Sequence, residues 1–339
     1  MTIKSREVRL VARPSGLPAH SDFKIEELVV PDPGPGQILV RNDWMSVDPA
    51  MRGRMRDVPS YVPPFRLDEP MEGGAVGTVV ESRADDLAVG DQVLHRLGWR
   101  DYAVLDGKHA LRVDTRRAPA SAYLGVLGMP GLTAYVGLKE IAGVREGDVV
   151  FISGAAGAVG LVAARVALHL GAATVIGSAG GPEKAGRLIR EFGYDRAIDY
   201  KAGPISRSLR GAAPEGIDVY FDNVGGDHLQ AALSSLRIGG RVALCGAISQ
   251  YNEEKPAPGP TNLLQAVRMR LTLRGFIVMD HADLRDEWVD LASGWLEDGS
   301  LTSTQTVVEG LAHSVDALLG LLGGANVGKM LVRLNPDAT

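Results

Sequence analysis

The run Val149–Gly160, VVFISGAAGAVG, constrains the fold more than any other stretch of the chain. Its first residues suit a buried strand, and glycines at Gly154, Gly157 and Gly160 make a tight turn. The apolar Leu161–Leu170 behind them, closed by Gly171, suits a helix. Strand, glycine turn and helix in that order bring a pyrophosphate onto a helix N-terminus, where free N–H groups and the helix dipole hold negative charge. The spacing is G-x-x-G-x-x-G rather than the stricter G-x-G-x-x-G, and a plain turn before a helix can satisfy it too. The flanking sequence has to decide.

From Val149 the chain alternates strand and helix. The strands read from it are Val149–Ser153, Thr174–Gly177, Ala197–Asp199, Asp218–Phe221, Arg241–Cys245 and Leu271–Val278. Helical patterns fill the gaps at Ala158–Leu170, Glu183–Phe192, Ile205–Leu209, Asp227–Leu236 and Thr261–Arg268. Such alternation predicts an α/β fold, a doubly wound parallel (Rossmann) sheet with right-handed connections. The glycine turn follows its first strand, where sheets of this kind bind a dinucleotide.

Residues 1–127 have a different texture, rich in Gly and Pro. Short strands are expected at Arg6–Ala12, Phe23–Val29, Gln37–Trp44, Gly77–Glu81, Asp91–His95 and Trp99–Leu105, with a helical turn at Ala50–Met55. The loop Asp57–Pro70 holds four prolines and Tyr61. Many short strands divided by turn signals predict a small β-barrel domain. At Leu127–Gly131 the pattern turns helical, with a helix expected over Leu132–Ile141 and Thr133 near its start. After the sixth strand come a helix at Leu284–Glu297, the run Thr302–Glu309, a helix at Val315–Leu322 and a strand at Lys329–Leu334. The last of these do not extend a six-stranded nucleotide fold and are assigned back to the first domain. The expected domains are therefore 1–127 with 304–339, and 128–303.

Charge and cysteine content narrow the classes. A net charge of -5 gives no basic footprint for nucleic acid. No apolar run of about eighteen residues marks a membrane span, and the N-terminus lacks the apolar core of a secretory signal. A cytoplasmic location is expected. The one cysteine, Cys245, cannot form an intrachain disulfide or a four-cysteine zinc site, and the seven histidines form no H-E-x-x-H pair. No metal is expected.

The choice of dinucleotide is read at the end of the second strand. NAD-specific sheets place an acid there, about 20 residues past the glycine turn, to bond the ribose 2′-OH. Here the chain reads TVIGSAGGPEK: Ser178 follows the strand, no acid appears until Glu183, and Lys184 comes next. A missing acid beside a cation suits a 2′-phosphate, so NADP (NADPH) is preferred over NAD. The alternative for Lys184 is a solvated helix residue.

The motifs VDPAMRGRM (47–55), LGVLGMPGLTAY (124–135), AAGAVG (155–160), YFDNVGG (220–226), CGAISQYN (245–252) and NVGKMLV (326–332) occur in order over essentially the whole chain. In them the sequence resembles the zinc-independent medium-chain dehydrogenases/reductases, in the leukotriene B4 dehydrogenase/prostaglandin reductase group with the curcumin and alkenal double-bond reductases. The resemblance implies a GroES-like barrel beside the Rossmann domain. It implies that Gly157, Ala158, Val159 and Gly160 cradle the pyrophosphate and that Lys184 and Tyr200 hold the 2′-phosphate. Asn223 and Thr133 would contact the cofactor. Cys245, Gly246, Ala247, Ile248 and Tyr251 would line its path, and Phe276, Ile277, Val278 and Asn326 would close around the nicotinamide. This chain has Ala50 where family members usually have a tyrosine. Other readings stay open residue by residue: Asn223 as a turn residue, Tyr200 as an edge-strand aromatic, Asn326 as a helix end, Cys245 as a buried strand residue and not a nucleophile.

Zinc-dependent relatives carry a Gly-His-Glu ligand motif where this chain has Met71-Glu72-Gly73, so catalysis is expected to rest on hydride transfer alone. The fitting reaction is reduction of a C=C bond in an α,β-unsaturated ketone or aldehyde, with hydride delivered to the β-carbon. Tyr251 is the expected donor to the enolate oxygen, the alternative being a loop aromatic packed beside the cofactor. Tyr61 is a second catalytic candidate. The rival functions are a quinone reductase, an alcohol dehydrogenase acting on a hydroxy-lipid and a non-catalytic NADPH-binding protein. Homodimers are expected from the resemblance, with Leu271–Val278 as a suitable edge strand. The loops Asp57–Pro70 and Asn252–Thr261 are expected to shape the substrate pocket.

Overall fold

The computed structural model describes residues 3–255 and 257–336. Residues 1–2 and 337–339 of the expected first domain, and Pro256 of the expected pocket loop, lie outside them. The chain divides into two compact units, Met1–Leu124 with Gln305–Thr339, and Gly125–Thr304.

In the first unit β1 (Lys4–Leu10) pairs antiparallel with β2 (Phe23–Val29). The chain continues through β3 (Gln37–Ser46), helix α1 (Ala50–Arg54), β4 (Ala75–Ser82), β5 (Gln92–His95), β6 (Tyr102–Asp106) and β7 (Leu111–Arg112). At only two residues, β7 is too short to carry a pattern, and the sequence reading missed it. β3 is buried along almost its whole length because it pairs with β4, β6 and a late strand. One apolar cluster gathers Val8, Met45, Met51, Trp99, Leu318 and Met330; a second gathers Ile38, Val40, Val79, Val93 and Leu105.

The second unit begins with α2 (Met129–Val136), prolonged by a π-helical turn at Gly137–Ile141. One regular helix is the sequence expectation there. The bare Gly137 admits two rings: a Cβ on it would stand 2.3 Å from Phe221 Cε2 and 2.9 Å from Phe276 Cζ. Then follow β8 (Val149–Ile152), α3 (Ala158–His169), β9 (Thr174–Ala179), α4 (Pro182–Glu191), β10 (Arg196–Asp199), α5 (Ile205–Ala212), β11 (Ile217–Asp222), α6 (Gly226–Ser235), β12 (Leu236–Leu244), α7 (Gln265–Arg268), β13 (Thr272–Gly275) and α8 (Arg285–Glu297). The six strands are parallel in the order β10-β9-β8-β11-β12-β13. The expected doubly wound sheet is the one found.

Three further elements, all at the far end of the sheet, depart from the sequence expectation. β13 ends at Gly275, and a 3-10 segment runs from Val278 to Leu284, so Phe276–Val278 leave the sheet instead of extending it. α7 spans only Gln265–Arg268, because Thr261 and Asn262 are bonded to Gln230 and Ser234 on α6 rather than to a helix. β12 begins five residues early, and its pairing with β11 is irregular between Ile217 and Val219. The chain then returns to the first unit as β14 (Gln305–Glu309), α9 (Ser314–Leu322) and β15 (Lys329–Arg333), which complete the sheet order β14-β15-β3-β4-β5-β7.

Candidate active site

The glycine turn is built around close backbone approach. Gly154 has φ +60, a left-handed conformation that glycine adopts without strain. Gly157 is the N-cap of α3. At Gly160 a Cβ would lie 2.6 Å from Ala155 Cα, Ala155 O and Gly154 O, so only glycine lets α3 sit this near the turn. Tyr194, wholly buried, donates its hydroxyl to Gly160 O at 2.6 Å, and its ring lies where a Cβ on Gly177 would be 2.7 Å away. Ala158, Val159 and Gly160 form the first turn of α3, where backbone N–H groups have no intrahelical acceptor and the positive end of the helix dipole lies.

A buried polar network occupies the neighbouring strand ends. Tyr220 donates to Asp222 Oδ1 at 2.7 Å and lies 3.0 Å from Ser153 Oγ. The same Asp222 oxygen accepts the Val224 and Gly225 N–H groups at 2.9 and 2.8 Å. Ser153 Oγ accepts the Asn223 N–H at 3.0 Å, and the Asn223 side-chain amide donates to Ser153 O at 2.7 Å. Burial and the Asp222 charge push the Tyr220 phenol well above its usual range. Sequence reasoning assigned no role to Ser153, Tyr220 or Asp222. The available signal was D-x-x-G at a strand end, since Asp readily bonds backbone N–H groups two and three residues on.

The segment after β12 is tied to the same place. Ile248 N–H donates to Asn223 O at 3.2 Å, and Cys245 and Gly246 N–H donate to Asp222 O at 2.9 and 3.0 Å. A Cβ on Gly225 would meet Ala247 Cβ at 3.0 Å, and one on Gly246 would meet Tyr251 Oη at 3.0 Å. Tyr251 thus lies with its hydroxyl over the Gly246–Ala247 backbone, accepting the Ala247 N–H at 3.4 Å. Burial beside Asp222 pushes the Cys245 thiol up to about 12, so it stays protonated at neutral pH. The loops after β8, β11 and β12 therefore meet at the carboxyl ends of the strands, on the β8–β11 side of the order reversal.

The other named residues of the second unit lie on α2, on α4, after β10 and after β13. Lys184 lies in the first turn of α4, and Tyr200 follows β10. Burial, and next the charge of Lys201, hold Lys184 below the usual lysine range. Ser178, where an NAD-binding acid would stand, is fully buried, and its hydroxyl has no hydrogen-bond partner among the described residues. Thr133 Oγ1 donates to Met129 O at 2.7 Å within its own helix, which leaves the oxygen as an acceptor for a ligand. Phe276 packs edge-on to Phe221, centroids 6.4 Å apart, and Ile277 and Val278 follow it out of the sheet.

Two of the named residues belong to the first unit. Tyr61 is 63% exposed on its loop. That loop is anchored by Arg54, which lies 4.0 Å over the Phe65 ring, donates to Pro63 O at 3.0 Å and pairs with Glu72 at 2.9 Å. Asn326 is buried and donates to Gly328 O at 2.7 Å. Next to it, the buried Lys329 donates to Val47 O at 2.7 Å and pairs with Asp48 at 2.8 Å, locking the NVGK and VDP motifs together. Among the described residues no group of three or more His, Cys, Asp or Glu side chains could hold a metal ion.

A parallel sheet of this order, with a glycine cradle after its first strand and polar loops at the strand ends, defines a dinucleotide-binding domain of the oxidoreductase type. Two family models match: "N-terminal domain of oxidoreductase" over residues 6–113 and "Zinc-binding dehydrogenase" over residues 158–294. The NADPH-dependent curcumin reductase of Escherichia coli (strain K12) is 37% identical over 339 residues, 98% of each chain. The NADP(+)-dependent 2-alkenal reductase of Nicotiana tabacum is 37% identical over 342 residues, 99% of each chain. The crystal structure of CurA from Vibrio vulnificus in complex with NADPH superposes with a TM-score of 0.93 at 39% identity, covering 98% of this chain and 100% of that one. The chain belongs to the zinc-independent group of the medium-chain dehydrogenase/reductase family.

Proposed function

We propose that this protein is an NADPH-dependent reductase of C=C bonds conjugated to a ketone or aldehyde. The observation that carries the reading is whole-length likeness, at 37% identity, to enzymes named for curcumin and for 2-alkenals, both of which contain that bond. The residues present suit the cofactor: Gly160 has no room for a Cβ at the pyrophosphate cradle, Ser178 replaces the acid that would repel a 2′-phosphate, and Lys184 follows in the first turn of α4. When bound, NADPH supplies a hydride to the β-carbon of the substrate.

The protein's part is binding and polarisation. The first turn of α3, with Gly157, Ala158, Val159 and Gly160, takes the pyrophosphate, and Lys184 and Tyr200 take the 2′-phosphate. Asn223, held to Ser153, and the backbone of 245–248 orient the cofactor along the strand ends. Thr133 offers its oxygen as an acceptor to the cofactor, and Phe276–Val278 would lie beside the nicotinamide. As hydride arrives, negative charge moves to the carbonyl oxygen. Tyr251, whose hydroxyl lies over the Gly246–Ala247 backbone, is the donor to that oxygen, a neutral phenol being a donor at pH 7. The α-carbon then takes a proton from water. The protein works as a cytoplasmic homodimer, joined through the end strand β13 and the exposed Ile238, Leu264 and Val267 beside it.

Steady-state NADPH oxidation with enones of graded length, run beside a panel of quinones, tests the reading. Turnover of enones well above quinones is expected. Preference for quinones would make it a quinone reductase, and binding of NADPH without oxidation by any acceptor would make it a non-catalytic binder. Light scattering should give twice the 35.9 kDa chain mass for the dimer.

A further inference from the structure

One carboxylate ties the start of α4 to the end of β10. Asp199 Oδ1 accepts the Gly181 N–H at 2.7 Å and the Lys201 N–H at 2.9 Å, while Tyr200 N–H donates to Ala179 O at 3.2 Å. The two loops are thereby laid side by side. Gly180 has no Cβ, and one built there would stand 2.7 Å from Tyr200 Oη and 3.0 Å from Lys201 Cε. Both side chains lie across the β9–α4 loop for that reason. The Tyr200 ring is steadied from the other side by His228, edge-on with centroids 5.2 Å apart. Glu183, next to Lys184, is turned to Arg190 at 3.6 Å. Lys184 and Lys201 are close enough that the second charge helps to depress the first. Lys201 thus brings a second ammonium-bearing side chain to the loop that leads into Lys184, and a dianion placed there is attracted by both charges.

We infer that Lys201 is a further specificity-determining residue, which together with Lys184 grips the 2′-phosphate of NADPH over the bare Gly180. Asp199 acts on the corner only as a clasp, by fixing the Gly181 and Lys201 backbone. The inference rests on the NADPH reading proposed above and assigns its phosphate selectivity to a residue outside the expected pair.

The test is calorimetric titration of the purified protein and its Lys201→Gln and Lys201→Arg variants with 2′,5′-ADP and with 5′-AMP. In the unaltered protein 2′,5′-ADP should bind the tighter. Lys201→Gln should weaken 2′,5′-ADP by about tenfold, the loss of one charged hydrogen bond, and leave 5′-AMP unchanged. Lys201→Arg should restore most of the loss, because it keeps the charge. Equal weakening of both ligands, or of neither, overturns the role of Lys201 while leaving the NADPH reading intact. No preference for 2′,5′-ADP in the unaltered protein overturns both.

Discussion

Tyr220 and Asp222, two residues apart on β11 and on the same face of the strand, are joined by a 2.7 Å hydrogen bond inside the protein. The bond supports a buried carboxylate that has no ion pair among the described residues, and that carboxylate in turn holds the turn beginning at Asn223. Replacing Tyr220 by Phe keeps the packing against Phe151, whose ring is 5.1 Å away, and removes the donor. Urea unfolding should show a loss of about 1.5–3 kcal/mol, the range for a hydrogen bond to a charged group. No loss would mean that Ser153 and the backbone alone satisfy Asp222.

Gly160→Ala should damage the cradle directly. Its Cβ would fall 2.6 Å from three backbone atoms, none of which can rotate away. Overpacking of this kind costs about 1–3 kcal/mol, and α3 must lift from the turn to relieve it. NADPH affinity, followed by fluorescence titration, should fall with stability. A variant that binds NADPH normally would show that α3 has slack at this point.

Tyr251→Phe separates binding from chemistry. The ring can stay over Gly246 while the hydroxyl is lost. If the phenol donates to the enolate oxygen, kcat on an enone should fall by about a hundredfold, the lower end for a positioned acid. The NADPH dissociation constant should move little. Unchanged turnover would remove Tyr251 from the mechanism.

Acid should unfold the first unit through His95. This histidine is 2% exposed; its Nδ1 accepts the Leu97 N–H at 3.1 Å and its Nε2 has no hydrogen-bond partner among the described residues. Burial lowers its pKa from 6.5 to about 3. Between those values the unfolded chain binds a proton that the folded protein refuses, so stability present above pH 6.5 is lost as the pH falls. The slope from this residue approaches about 1.4 kcal/mol per pH unit and flattens near the folded value. His95→Asn, which keeps an acceptor for Leu97, should reduce that slope in urea titrations at pH 6 to 4; an unchanged slope would place the titrating group elsewhere.

Most of the second unit was legible because its signals are local. The apolar run of Val149–Ile152, the glycines after it and the alternation that follows each fix an element within a few residues. The strand-end network was not legible, since Ser153 and Asn223 lie seventy positions apart and only the pairing of β8 with β11 brings them together. Phe276–Val278 continue an apolar pattern that reads as strand, yet the chain turns there to lay Phe276 against Phe221 and Gly137. Lys184 was readable from a missing acid. Lys201 was not, because its place depends on a clasp made by Asp199 through backbone atoms, which leaves no mark in side-chain pattern.

Gly160 in the first turn of α3, Gly177 within β9 and Tyr194 in the loop between α4 and β10 are far apart in sequence, yet each fills or vacates space for the others. A larger residue at Gly177 needs a smaller one at position 194, and a smaller one there releases the carbonyl of Gly160. Exchange of any one alone passes through a misfitting intermediate. Over evolutionary time these three positions should change as a set or not at all, so a lineage that alters one of them should carry compensating changes at the other two.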